Sequence, residues 1–163
     1  MKKFNEWNEV KKETDLSEKS PLFKEREIYN AKIGENIGFE QSGKGDEFVR
    51  PVLIVKRLTK EMFFGVPLST TLREGSFFYG FEFIAGKHST ALLVQTRLFS
   101  SRRLLNKIGM INKDDFKNLR EKLNGLMFDG DFTSPKDSAS RPEGNCKSDY
   151  TTNFTNKSSD TNA

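Results

Sequence analysis

Few residues in this 163-residue chain have side chains that commonly carry out chemistry, and several kinds of active site can be excluded. His88 is the one histidine and Cys146 the one cysteine, and Cys146 lies in a polar C-terminal segment. Neither a Cys–His nucleophilic pair in the folded part nor a cysteine-based zinc site is therefore expected. His88 stands in GKHST, a turn-like stretch that favours a surface position. The sequence has no glycine-rich phosphate loop ending in Lys-Ser/Thr and no cluster of metal ligands, so an enzyme of this sequence is expected to need no metal and no cofactor.

A charged loop with several glycines is the main candidate for a binding surface. Residues 37–55 read IGFEQSGKGDEFVRPVLIV, in which the loop leads into Arg50, Pro51 and an aliphatic run. The aliphatic run is typical of a strand that is buried on both faces, and proline is tolerated at the start of such a strand. The sequence therefore predicts a loop that approaches a partner, placed directly before a buried strand.

The charge of the chain is concentrated in its middle segment. Residues 1–30 are neutral, residues 31–128 carry a balance of +6, and residues 129–163 carry a balance of −2. A basic folded segment favours polyanionic partners, because each cation near a phosphate releases counterions. Charge alone is equally consistent with a surface that only keeps the protein soluble.

The elements that must position the loop are predicted to be mainly strands. Five strand-like segments follow one another without helices between them, which predicts an antiparallel sheet curled into a small barrel. These segments are EIYNAKIG (27–34), RPVLIVKR (50–57), MFFGVPLSTT (62–71), SFFYGFEFI (76–84) and STALLVQTRLFS (89–100).

A helix is predicted at each end of the strands. The first is a short amphipathic helix that packs its Phe and Trp onto the body, because Phe4, Trp7, Val10 and Lys11 recur at helical spacing before Ser20-Pro21 interrupts the pattern. The second has Asn112 as a natural N-cap and two acidic residues in its first turn, Asp114 and Asp115. Its apolar face is formed by Phe116, Leu119, Leu123 and Leu126.

Composition divides the chain into three parts. Residues 1–24 form the helical extension, residues 25–128 the folded domain, and residues 129–163 a polar tail that is expected to be disordered. The N-terminal sequence lacks the apolar stretch of a signal peptide, and the apolar runs are too short to cross a membrane. A cytoplasmic location without membrane contact is therefore expected.

Four motifs, in order, resemble those of the PemK/MazF family, the toxins of type II toxin–antitoxin systems. They are GFEQSG (38–43) with RPVLIV (50–55), VPLSTT (66–71), VQTRLF (94–99) and IGMINKDDFKNLREKL (108–123). The resemblance covers about residues 27–127. It implies an α+β protein, mainly β, with an SH3-like antiparallel barrel of the PemK/MazF/CcdB type, a closing C-terminal helix and assembly as a homodimer.

The resemblance also implies an activity, namely the metal-independent cleavage of single-stranded RNA, often mRNA, at short sequences. The 2′-hydroxyl of the RNA attacks the neighbouring phosphorus and leaves 2′,3′-cyclic phosphate and 5′-hydroxyl ends. Arg50 corresponds to the family's arginine before the proline, and its guanidinium can hold two phosphate oxygens. Ser69 falls where the family carries its catalytic Ser/Thr, with Thr70 as the alternative one residue on. Glu40 corresponds to the loop carboxylate that could orient Arg50 or accept a proton.

Further residues of the motifs are candidates for RNA contacts. These are Gln41 in the loop and Gln95 and Arg97 in the fifth strand, which could equally contact a dimer partner or only face solvent. Some relatives carry an aspartate before the glutamine of that strand, where this chain has Val94. The segment KGDEFV (44–49) is an insertion relative to the family's loop, so a cleavage sequence cannot be transferred.

Two other functions remain open at this point. The CcdB toxins share the barrel, so the chain could be a non-catalytic barrel toxin or a binding module that acts on DNA gyrase or nucleic acid. It could also be an interaction module of a mobile element that docks through its N-terminal helix. As a member of the family it would be neutralised by a cognate antitoxin, and any DNA contact would be made only through the antitoxin complex.

Overall fold

The computed structural model describes residues 1–18 and 21–128, so the tail at 129–163 and its expected disorder lie outside the described residues. In the sequence, one helix precedes seven strands and a second helix follows them. The helices are α1 (Phe4–Leu16) and α2 (Lys113–Phe128), and the strands are β1 (Glu27–Lys32), β2 (Val49–Arg57), β3 (Met62–Ser69), β4 (Phe78–Ile84), β5 (Lys87–Leu92), β6 (Arg97–Ser100) and β7 (Leu104–Met110). Single-turn 3₁₀ helices lie at Leu93–Gln95 and Ser101–Arg103.

All seven strands pair antiparallel in a curled sheet. The strand order is β4-β5-β3-β2-β1-β7, and β6 also pairs with β3. The beginning of β3 pairs with β6, as in Gly65 opposite Arg97, whereas its end pairs with β5, as in Ser69 opposite Thr90. Because β3 takes part in both pairings, the sheet curls, and the predicted antiparallel architecture is confirmed.

The aliphatic run of β2 is buried on both faces, as its sequence predicts. Leu53 and Val55 pack in one cluster with the apolar face of α2, whereas Val52 and Ile54 pack in a second cluster with Phe63 and Phe99 on the other side. Each fully buried aliphatic side chain contributes roughly 1.5–3 kcal/mol. The strand that follows the candidate loop is therefore firmly held.

The closing helix begins where the sequence predicts. The Asn112 side chain accepts a hydrogen bond from the Asp115 backbone N–H at 2.8 Å, which is the expected N-cap contact. The predicted apolar face is buried at Phe116, Leu119 and Leu123. Lys122, on α2, donates to the carbonyls of Gly75 and Phe78 at 2.9 and 2.8 Å and so anchors the β3–β4 loop.

The structure differs from the sequence-based expectation in two strands. The segment 89–100 is not one strand, because the turn at Leu93–Gln95 divides it into β5 and β6, which pair with opposite ends of β3. Strand β7 was not predicted. Its sequence, LLNKIGM, has a weak strand pattern, and pairing with β1 holds it in place, for example Tyr29 opposite Lys107.

Helix α1 forms, but one of its two aromatic residues does not pack as expected. Trp7 is buried, whereas Phe4 stays 47% exposed. Phe4 is the first residue of α1 and lies one turn before Trp7. The helix therefore docks through its tryptophan.

Candidate functional site

Arg50 and Ser69 lie side by side at the same end of the sheet. Strands β2 and β3 pair Val52 with Pro67, and the same register continued by two residues places Arg50 opposite Ser69. The Arg50 Nη1 group donates to the carbonyl of Leu68 at 3.3 Å. Directly opposite residues of an antiparallel pair share a face, so the continued register predicts that the Arg50 and Ser69 side chains lie on one face of the sheet.

Arg50 is a buried cation without an acidic partner in the part of the chain that the structure describes. It is 8% exposed, and its Nε donates to the carbonyl of Ser42 at 2.9 Å. Burial, and to a smaller extent the charge of nearby Arg73, lowers the pKa of Arg50 below its ordinary value. Buried charges are normally paired, so a guanidinium held by carbonyls alone is suited to an anionic ligand.

Arg73 is a further candidate residue, which none of the sequence motifs includes. It lies in the exposed β3–β4 loop, with its guanidinium 5.6 Å from the centre of the Phe78 ring, and its charge acts on Arg50. Two neighbouring like charges repel each other, and an anion bound between them relieves that repulsion. The clue in the sequence was its position four residues after Ser69, but no motif marked it.

Thr90 is a second residue that the sequence analysis missed. It lies on β5 directly opposite Ser69 and is 1% exposed. Its hydroxyl has no hydrogen-bond partner within residues 1–18 and 21–128. Arg50, Ser69 and Thr90 therefore form a polar row across three adjacent strands. Only the register between β3 and β5 reveals this row.

The Ser69 hydroxyl forms a hydrogen bond within its own turn, and Thr70 lies just after the end of β3. Ser69 Oγ accepts a hydrogen bond from the backbone N–H of Thr71 at 3.2 Å. Strand β3 ends at Ser69, and Thr70 is an exposed residue of the following bend. Ser69 is therefore the hydroxyl that lies in the row with Arg50.

Glu40 is exposed, and its negative charge acts on Arg97. It is an exposed loop residue whose carboxylate accepts from the Ile37 backbone N–H at 3.3 Å, and the structure records no ion pair between Glu40 and Arg50. Arg97 donates from Nη2 to the carbonyl of Ile33 at 2.7 Å. Burial lowers the pKa of Arg97, and the charge of Glu40 offsets part of that effect.

Gln95 connects the turn Leu93–Gln95 to the candidate loop. Its Oε1 accepts from the backbone N–H of Gln41 at 3.0 Å, and its Nε2 donates to the carbonyl of Phe39 at 3.2 Å. Gln41 and Gln95 are thus joined to each other, and Gln95 holds the loop that leads to Arg50.

The loop closes tightly on itself before it reaches Arg50. Lys44 and Val49 exchange two backbone hydrogen bonds of 2.8 and 3.0 Å, so residues 44–49 form a small hairpin. The backbone N–H of Gly43 donates to the carbonyl of Gly34 at 2.8 Å. A Cβ at Gly43 would lie 1.8 Å from the carbonyl oxygen of Phe48, so only glycine fits there.

The comparison with protein families is consistent with this arrangement. The family model described as the PemK-like, MazF-like toxin of type II toxin–antitoxin systems matches residues 24–127. The chain belongs to this family. The polar row of this PemK/MazF-family protein lies within the matched residues, whereas α1 precedes them.

Solved structures of MazF toxins resemble this family member. MazF (Form-I) from Deinococcus radiodurans is 17% identical, with a TM-score of 0.54, over 65% of this chain and 96% of that one. The MazE–MazF structure (Form-II) from the same organism is 14% identical, with a TM-score of 0.50, over 66% and 97%. The toxin MazF-mt6 of Mycobacterium tuberculosis is 23% identical, with a TM-score of 0.49, over 66% and 100%. No curated protein matches. The two Deinococcus structures show a shared fold.

His88 and Val94, the two remaining residues that the sequence singled out in this PemK/MazF-family chain, are both exposed. His88 is exposed, as expected, and its Nε2 lies 3.2 Å from a carboxylate oxygen of Glu82. Val94 is 49% exposed.

Within the described ranges, no group of three or more His, Cys, Asp or Glu side chains could hold a metal ion. Neither α1 nor α2 is long and apolar enough to span a membrane.

Proposed function

We propose that this PemK/MazF-family protein is the toxin of a type II toxin–antitoxin system and a metal-independent endoribonuclease that cleaves single-stranded RNA, including mRNA. The observation that supports this most strongly is the buried guanidinium of Arg50, which has no carboxylate partner within the described residues and lies in a row with Ser69. A cation in that position suits a phosphodiester and its developing negative charge.

The reaction needs no group from outside the chain and the RNA. The 2′-hydroxyl oxygen loses its proton and attacks the adjacent phosphorus, the bond from phosphorus to the 5′-oxygen breaks, and the leaving oxygen takes up one proton, so no net proton is gained or lost. Arg50 donates to two phosphate oxygens at once, and the Ser69 hydroxyl donates to the same group. Arg73 adds positive charge beside them. The products carry 2′,3′-cyclic phosphate and 5′-hydroxyl ends.

Glu40 is the proposed acceptor of the 2′-hydroxyl proton, with Thr70 as the alternative hydroxyl beside Ser69. Support for Glu40 is its exposed carboxylate in the loop that leads to Arg50. Gln41, Gln95 and Arg97 are proposed to contact the RNA as well as to hold that loop. Binding of RNA would then exchange some of their internal hydrogen bonds for contacts with bases.

The proposed partners follow from the family. MazF of Deinococcus radiodurans has been solved together with MazE, and we propose a corresponding antitoxin for this chain. The proposal includes a homodimer in the cytoplasm that contacts DNA only through the antitoxin complex. The basic balance of residues 31–128 would favour both RNA and an acidic antitoxin segment.

The decisive experiment uses the purified protein with a mixed single-stranded RNA in EDTA and a chemical analysis of the fragment ends. We expect 2′,3′-cyclic phosphate and 5′-hydroxyl ends, and their loss with Arg50→Ala. Arg57→Ala is the matched control, because Arg57 lies at the other end of β2 and its Nε donates to the Thr59 carbonyl at 3.1 Å. Intact RNA with folded wild-type protein would contradict the proposal.

One observation favours a second candidate, a non-catalytic toxin that acts on DNA gyrase. Val94 stands where some relatives carry a carboxylate, so the motif VQTRLF (94–99) supplies no proton acceptor at that position. A supercoiling assay with purified gyrase separates the two functions. Inhibition of gyrase without RNA cleavage would support this candidate, and RNA cleavage without inhibition would dismiss it.

A further inference from the structure

Helix α1 packs against the loop before Arg50. The helix precedes the residues that the family model matches, whereas the segment 44–49 of this loop lies within them and is interpreted from its sequence as an insertion. Trp7 of α1 meets Phe48 of the insertion edge to face, with 5.5 Å between ring centroids. The Lys3 ammonium lies 3.3 Å from the carboxylate of Asp46. The helix is thus docked on the loop that carries the candidate site.

The contact around Trp7 is close enough to be specific. Trp7 is 8% exposed, and a Cβ at Gly34 would lie 2.6 Å from its indole ring. The guanidinium of Arg103 lies 5.4 Å from the ring centre of Trp7 and also donates to the carbonyl of Lys32 at 2.9 Å. The indole is therefore enclosed by the end of β1, the inserted segment and Arg103.

A second connection runs from the start of α1 to Arg50 through two side chains. Glu35 accepts from the Lys3 backbone N–H at 3.4 Å and pairs with the Lys2 ammonium at 3.6 Å. The Ser42 hydroxyl donates to Glu35 at 2.8 Å, and the Ser42 carbonyl accepts from Arg50 Nε at 2.9 Å. The hydrogen bond from Ser42 is the main cause of the lowered pKa of Glu35, so its charged form is favoured.

The backbone next to Arg50 is strained in a way that needs such support. Phe48 has a φ of 53°, a region that bulky side chains rarely adopt. Strain of this kind persists only where the surrounding packing imposes it. Trp7 supplies part of that packing, and Phe48 precedes Arg50 by two residues.

We propose that α1 positions Arg50 for the reaction, with Trp7 holding Phe48 and Glu35 holding Ser42. This inference rests on the proposed ribonuclease function, because it assigns α1 a part in the same site. Trp7 and Glu35 are positioning residues. They act through the loop, so their loss should lower kcat far more than it raises KM.

The first test compares Glu35→Leu and Glu35→Gln in steady-state cleavage of a short fluorogenic RNA. We expect Glu35→Leu to lower kcat by about 10- to 100-fold, because small displacements of a catalytic group have effects of that size. Glu35→Gln keeps an acceptor for Ser42 and should restore most of the rate. Glu9→Leu is the control, because Glu9 is exposed on α1 and pairs with Lys12 of the same helix at 2.8 Å. Equal kcat values for Glu35→Leu and Glu9→Leu would overturn the proposal.

The second test does not depend on RNA cleavage. Hydrogen exchange of the amides of Gly43 and Lys44, which bond to the carbonyls of Gly34 and Val49, should become at least about tenfold faster in Trp7→Ala, because local opening of the loop becomes easier. Hydrogen exchange in β3 should stay unchanged. If Trp7→Ala fails to fold, the same exchange measurement on Glu35→Leu takes its place. Unchanged loop exchange would refute the positioning role. A wild-type protein that does not cleave RNA would instead refute the proposed function and leave the exchange result intact.

Discussion

Thr90 lies directly opposite Ser69 across β3 and β5, and its buried hydroxyl has no hydrogen-bond partner in the described parts of the chain. A buried hydroxyl without a partner costs free energy, whereas a methyl group of the same size in that place does not. We therefore expect Thr90→Val to raise the free energy of unfolding by about 1 kcal/mol, measured by urea denaturation. Thr96→Val is the control and should destabilise by about 1 kcal/mol, because the Thr96 hydroxyl donates to the Leu93 carbonyl at 2.7 Å. A less stable Thr90→Val protein would show that this hydroxyl is satisfied.

Arg50→Lys should be almost as inactive as Arg50→Ala in RNA cleavage. Lysine keeps the positive charge but cannot donate to two phosphate oxygens in one plane while it also reaches the Ser42 carbonyl. We expect kcat to fall by about 100-fold or more, as after the loss of an oxyanion-stabilising donor. Circular dichroism verifies the fold. A lysine variant with close to wild-type kcat would mean that charge alone suffices at this position.

Arg73→Ala should weaken RNA binding and make it less dependent on salt. If Arg73 contacts one phosphate, the slope of log K against log salt should decrease by about 0.7 for a single strand. Fluorescence anisotropy with an uncleavable 2′-deoxy oligonucleotide measures both quantities. Arg120→Ala is a matched control, since the Arg120 guanidinium lies 5.8 Å from the ring of Phe116 on α2. The same loss in both variants would indicate a general effect of charge.

Glu27 is expected to make the free energy of unfolding decrease as the solution is acidified. Burial alone would raise the pKa of the Glu27 carboxyl, but hydrogen bonds from Lys107, Lys24 and Tyr29 lower this pKa overall below its ordinary value. A carboxyl with a lowered folded-state pKa stabilises the protein above its unfolded pKa, and this contribution is lost as the pH falls through the folded-state pKa. Glu27→Gln should therefore be less stable at pH 7 and lose less stability on acidification. Parallel pH curves of the free energy of unfolding for variant and wild type would disprove this.

Local sequence patterns were sufficient for the elements whose signals are local. The aliphatic run of β2 predicted burial on both faces, and Asn112 predicted the start of α2. The break between β5 and β6 was not predictable from the sequence, because strand propensity continues through Leu93. The turn forms there because the two halves of the segment pair with opposite ends of β3. Tertiary pairing prevailed over propensity there.

The candidate site shows the same division. Motif order identified Arg50 and Ser69, and the structure places them in adjacent strands. Thr90 and Arg73 were missed, because one depends on the register of distant strands and the other on the course of an irregular loop. Glu40 remains a prediction, because its carboxylate accepts from the Ile37 backbone N–H and forms no ion pair with Arg50.

The pairing of β3 with different strands at its two ends has a consequence for how this protein tolerates changes in length. Deleting or adding one residue within β3 would disturb its pairing with β2, β5 and β6 together. Because side chains alternate along a strand, the change would also turn Ser69 away from the face of Arg50. Sequence length can therefore vary in the loops on either side of β3, at 58–61 and 70–77, but hardly within the strand itself.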